Sequence, residues 1–176
     1  GGVRPNIIPE RAVGRFSLRA RRRVELDEVV AEFRRLTEEI GRLHGCGVET
    51  RQTDCTYNEM VTNDALAGAY RANLVALGVA VNDRPRERMG SLDMGNVSYA
   101  VPSVHPFFAL VPAGVASLTV EFARATVADA GRDGLLRSIR ALAMTGVDLL
   151  LDGGLMARAR KEHHAFLADR VAGGDG

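Results

Sequence analysis

The sequence predicts an α/β fold, and three observations predict it. Residues 11–20, RAVGRFSLRA, set Val13, Arg15, Ser17 and Arg19 against Gly14, Phe16 and Leu18, the two-residue period of a half-buried strand. A long segment with apolar residues three and four apart comes next, and then a second extended-looking stretch, CGVETRQT. Strand, helix and strand in that order imply one helix layer on a sheet.

The first element is expected to start just after Pro9, because a proline has no amide to give to a ladder. The helix that follows is expected over about residues 25–43. Leu26, Val29, Val30, Phe33, Leu36, Ile40 and Leu43 form a single apolar stripe, and Gly45 stops it. Near residues 54–62 the pattern changes. TNDALAGAYRANLVALG opens on a capping residue, Thr62 or Asn63, and places Leu66, Tyr70, Leu74 and Leu77 on one face. VNDRPRERMG reads as a polar loop. Asp93 is placed to cap a short helical turn, and Ser103 to Leu110 reads as a buried strand. A helix over about 133–151 is expected to break at Gly153 and Gly154. A last helix carries Leu155, Met156, Ala159, His163, Phe166 and Leu167. The expected division is residues 1–54 and 55–176.

Composition narrows the function. With 46% hydrophobic and 26% charged residues, the chain is expected to fold. A net charge of +1 provides no long-range pull toward nucleic acid or a membrane surface. No apolar run reaches the roughly 18 residues of a membrane span. Two cysteines, Cys46 and Cys55, make neither a disulfide framework nor a zinc ribbon. GGVRPNIIPE has no charged-then-apolar leader, so a cytoplasmic location is expected. The first residue is not Met, which points to an excised, processed or partial sequence.

The segment GGVRPNIIPERAVGRFSLRA resembles the middle of the lid, or dimerisation, domain of the zinc-dependent aminoacylase, carboxypeptidase and amidohydrolase metallopeptidase family. The likeness continues in order through GCGVET, TNDALAGAYRANLVALG, GSLDMGNVSYAVPSVHPFF and RALAMTGVDLLLDGGLMARAR, covering most of the chain. The branch it resembles most cleaves amide bonds of acylated amino acids and small dipeptides. The resemblance implies a partial lid of strand, helix and strand over 1–54, then the C-terminal half of a catalytic domain over 55–176. It also implies zinc or another divalent metal in the intact enzyme, and a homodimer formed through the lid.

In the family, a His-x-Asp motif, a further Asp and a Glu-Glu pair precede the lid. None of His44, His105, His163 and His164 is followed two residues later by Asp. Glu38 and Glu39 fall on the polar side of the lid helix and read as a solvated face. The family's last histidine ligand corresponds to Leu118, in SLTVEF, and leucine cannot coordinate zinc. No catalytic residue and no metal ligand is therefore assigned to this chain.

The substrate-binding residues implied are Asn6, Arg19, Gly90, Ser91, Asp93 and His105. An amide can donate to a developing oxyanion, and a guanidinium can hold a carboxylate with two parallel bonds. Without the resemblance, Asn6 reads as a turn residue and Arg19 as a strand-edge charge. Gly90, Ser91 and Asp93 match a loop that returns to the active site, and read equally well as an ordinary turn into a helix. Three readings of His105 stay open: lining a pocket or supporting a metal ligand, packing as a strand histidine, or binding the metal directly. His163 falls on the apolar stripe of the last helix and reads as a core histidine. The basic run from Arg19 to Arg23 reads as a solvated strand end, because Glu25, Asp27 and Glu28 follow at once.

The expectation is a C-terminal portion of an amidohydrolase or dipeptidase, inactive alone, with the N-terminal half possibly supplied separately. The alternative is a degenerate, non-catalytic dimerisation or binding module.

Overall fold

The computed structural model describes residues 2, 4–82, 92–111 and 114–172. Among them the regular structure is entirely helical: α1 (Arg23–Leu43), α2 (Asp64–Ala76), α3 (Met94–Ala100), α4 (Val120–Ala125), α5 (Asp129–Leu151) and α6 (Gly153–Ala172). The α/β expectation, with its strand-helix-strand lid, is therefore corrected. Residues 11–20, 46–53 and 103–110 form no strand. Their alternation favours extended backbone, but a strand exists only where a neighbour takes its amides and carbonyls. No such neighbour lies beside them among the described residues. The chain divides into two compact units, Gly1–Thr56 and Tyr57–Gly176.

The first unit is built on α1. Its apolar stripe has one aromatic partner, the Phe16 ring, which lies 5.0 Å from the Phe33 ring. The Glu25 carboxylate accepts from the Arg22 backbone amide at 3.3 Å and from Arg22 Nε at 2.8 Å, closing the first turn. At the other end Gly45 takes φ 67°, which costs a residue without Cβ little. The chain then turns back, and the Cys46 amide donates to the Gly41 carbonyl at 2.8 Å. Gly41 is the one buried residue described in this unit, and a Cβ there would strike the Val48 side chain.

The second unit packs α2, α5 and α6 together. Leu66, Tyr70, Ala141, Leu155 and Ala159 are its buried apolar residues. Hydroxyls and amides do much of the joining. The Tyr70 and Ser138 hydroxyls are 3.0 Å apart, and Asn73 Nδ2 donates to Thr145 Oγ1 at 3.1 Å and to Asp148 Oδ2 at 2.7 Å. Asn63 caps α2, accepting from the Leu66 amide at 3.1 Å. The break between α5 and α6 falls at Asp152, and the paired glycines open α6 rather than separating the helices. No helix among the described residues is long and apolar enough to cross a membrane.

Candidate functional site

In the first unit, Asn6 lies in a short turn in which the Ile7 amide donates to the Arg4 carbonyl at 3.3 Å. Its side chain is exposed. Arg19 is also exposed, on the extended segment leading to α1. Next to it the basic run is neutralised locally. Arg22 pairs with Glu25 at 2.8 Å and Arg23 with Asp27 at 2.7 Å. Glu39 is held by Arg35 at 2.7 Å, and it and Glu38 are both exposed, as befits a solvated face. The Glu25 and Glu32 carboxyls are held below their ordinary range, first by hydrogen bonds from the Arg22 and Arg35 side chains. Cys46 and Cys55 are free and exposed.

In the second unit, Gly90 and Ser91 lie outside the described residues. Asp93 stands at the N-cap of α3 but is exposed, and its side chain makes no capping bond. What fixes α3 is the neighbouring backbone. Ser98 Oγ accepts from the Val61 amide at 3.0 Å, Asn96 Oδ1 accepts from the Asn58 amide at 2.8 Å, and Gly95 lies directly against the Asn58 carbonyl. His105 sits outside any regular element. Its ring is half-buried and edge-on to Phe107 at 5.1 Å, and its Nδ1 is a buried atom with no hydrogen-bond partner. The strand-histidine reading of His105 is corrected, because the segment has no ladder to belong to.

The residues this unit does bring together surround the start of α2. The Asn63 amide donates to the Ser103 carbonyl at 2.9 Å, and Asn63 Nδ2 donates to the Ala159 carbonyl at 2.9 Å. From α6 the Glu162 carboxylate accepts the Asp64 and Ala65 amides, placing negative charge at the positive end of α2. His163 is buried and donates from Nε2 to the Ser98 carbonyl at 3.2 Å, the satisfied core histidine that its place on the stripe implied. A small, partly open pocket of about 30 Å³ remains among Thr62, Asn63, Ser103, His163 and Phe166. A shallower open cleft of about 410 Å³ is bounded by Asp64, Gly68, Asp148, Asp152 and Arg158.

Glu162 was beyond reach of sequence reasoning. Its partners lie nearly a hundred residues away in the chain, and nothing local marks it. Among the described residues no three His, Cys, Asp or Glu side chains converge as a metal ion requires. Zinc therefore does not fit the described residues of this chain by themselves. At the position the resemblance aligns with the last ligand, the Leu118 side chain is fully exposed, on a backbone with φ 66°.

No family model matches the chain. Over 175 residues it is 32% identical to the Xaa-Arg dipeptidase of Mus musculus, a match covering 96% of this chain and 40% of that protein. Over 165 residues it is 29% identical to the Xaa-Arg dipeptidase of Homo sapiens, covering 92% of this chain and 38% of that protein. The chain thus spans about 40% of the length of the curated relatives it matches. These likenesses support a dipeptidase or amidohydrolase family.

Proposed function

We propose, from the premise of a dipeptidase or amidohydrolase family, that this chain is the C-terminal part of a metal-dependent enzyme hydrolysing small dipeptides or acylated amino acids. The observation that carries the reading is the likeness to a dipeptidase over 96% of the chain. The relatives' name makes a dipeptide with a C-terminal arginine the first substrate to try. Arg19 is exposed and charged, and its guanidinium suits the substrate carboxylate. Asn6 is exposed in its turn and suits the carbonyl oxygen as charge develops on it. Within the second unit, Asp93 and His105 are the described candidates for contact with substrate, and Gly90 and Ser91 remain candidates by resemblance alone. The Nδ1 of His105, without a partner among the described residues, supports a polar contact with substrate. The metal and the general base belong to a part of the enzyme that the chain does not carry, so the chain alone is inactive.

The enzyme so proposed is a cytoplasmic homodimer, paired through α1. Val29, Leu36, Ile40 and Leu43 are all exposed on that helix, which supports a partner there. The test is hydrolysis of a C-terminal-arginine dipeptide by the chain alone and in complex with the complementary part of a relative. Hydrolysis by the complex only, weakened by Arg19→Ala, supports the reading. No hydrolysis by a formed complex sinks it. A second reading, a non-catalytic dimerisation or binding module, is favoured by Leu118, which cannot ligate a metal where the resemblance calls for histidine. Failure of the complex to bind zinc or turn over substrate, with dimerisation retained, would select it.

A further inference from the structure

α3 is too short to place itself. It has seven residues, where an isolated helix needs roughly 12–15, and Asp93 at its start makes no capping bond. Two other segments hold it. From residues 58–61 the Asn58 and Val61 amides donate to Asn96 Oδ1 and Ser98 Oγ. From α6, His163 Nε2 donates to the Ser98 carbonyl at 3.2 Å, and Arg170 Nη1 donates to the Tyr99 hydroxyl at 2.6 Å. The Arg170 guanidinium also lies 4.4 Å from the centre of the Tyr99 ring, which Phe166 meets edge-on at 5.3 Å. The Glu59 carboxylate is 4.0 Å from the same guanidinium. Arg170 therefore joins residues 58–61, α3 and α6 through one planar group of fixed donors.

We propose that Arg170 is a positioning residue for Asp93, acting through Tyr99. The inference rests on the proposed function, in which Asp93 is a candidate for contact with substrate, and adds the residue that sets where its carboxylate stands. Asp93 and Tyr99 lie near the two ends of a helix of under two turns. So short a helix moves as one body, and a shift at Tyr99 carries to Asp93. The Arg170 side chain is 23% exposed, so water replaces its bond to Tyr99 only in part. Beyond α3 the chain is anchored separately. The Ser103 carbonyl accepts the Asn63 amide at 2.9 Å, and Asn63 Nδ2 donates to the Ala159 carbonyl of α6 at 2.9 Å. That anchor stands between Tyr99 and His105 and holds His105 when the Tyr99 contact is lost. The two candidates thus depend on different ties, Asp93 on Arg170 and His105 on Asn63.

The test compares the full chain with Tyr99→Phe, which removes the hydroxyl and keeps the ring, and with Arg170→Met, which removes the charge and keeps the stem. Arg170→Lys keeps the charge toward Glu59 and a donor for Tyr99, and Arg158→Ala, elsewhere on α6, is the control. Nuclear magnetic resonance reads the Asp93 amide and carboxyl shifts and the His105 ring shifts in each protein. A titration with alanyl-arginine, well below every thermal midpoint, reads the affinity of the folded protein. Tyr99→Phe and Arg170→Met are expected to move the Asp93 signals in the same direction and to leave His105 in place. Both should weaken the dipeptide by about fivefold, with Arg170→Lys restoring part of the loss and the control unchanged. Asp93 signals that neither variant moves overturn the inference. Asp93 and His105 signals that move together also overturn it, because they mark a general loosening and not a set position. So does a moved Asp93 with affinity unchanged, since nothing that binds has then been positioned. A wild type that does not bind the dipeptide removes the substrate reading instead, and the shifts alone then decide whether Arg170 places Asp93.

Discussion

Asn63 ties three pieces of backbone together: the first turn of α2, the Ser103 carbonyl and the Ala159 carbonyl of α6. It is 4% exposed, so water does not replace what a substitution removes. Asn63→Ala is expected to cost about 1–3 kcal/mol, combining the lost cap, which leaves the Leu66 amide without its side-chain acceptor, with the lost bond to the Ala159 carbonyl. Chemical denaturation measures it, and a loss below a few tenths would contradict this role. Gly95 tests a different property. A Cβ there would collide with the Asn58 carbonyl, which is backbone and cannot swing aside. Gly95→Ala is expected to cost about 1–3 kcal/mol by overpacking, read as a lowered thermal midpoint. Some of this was legible in sequence. The sequence narrows the cap to Thr62 or Asn63, and the position of His163 on a stripe puts it in a core. Asn6, Arg19 and Asp93 were singled out by resemblance, since an exposed Asn, Arg or Asp carries no signal of its own. The hold of Glu162 on α2 is tertiary and left no local trace.

α1, α2, α5 and α6 were legible because each writes its own period, whereas α4, only six residues long, carries no such signal. The stripe expected over 25–43 is observed as Arg23–Leu43, and that expected over 133–151 as Asp129–Leu151. The strands were not, because alternation in RAVGRFSLRA describes one edge of a pairing and says nothing about whether the other edge is present. α1 carries a prediction of its own. Hydrogen bonds from Arg22 and Arg35 hold Glu25 and Glu32 below their ordinary value of 4.5. A carboxylate depressed in the helix supports it above that ordinary value and loses the support as pH falls through the lowered one. The Cα chemical shifts of the first half of α1 are therefore expected to move toward coil as pH drops below about 4.5. Arg35→Gln should remove the part of the change that belongs to Glu32. Shifts independent of pH across that range would contradict the ladder.

Among the described residues, far more large apolar side chains are exposed than buried. Gly41 is the only buried residue described in the first unit, while Ile40 and Leu43 of α1 are 56% and 80% exposed. In the second unit α5 displays its leucines. Such surface on a protein standing alone draws apolar dyes and promotes association. The chain is therefore expected to enhance the fluorescence of an apolar dye. A dye signal as low as that of an ordinary monomeric domain would contradict this. The strands were read from alternation alone, and among the described residues no segment pairs with them. The measurement that bears most directly on the central claim is hydrolysis of a C-terminal-arginine dipeptide by the purified chain with zinc, with bound zinc counted in the same sample. No turnover and no stoichiometric zinc are expected from the chain alone; turnover by the isolated chain with stoichiometric zinc would contradict the claim.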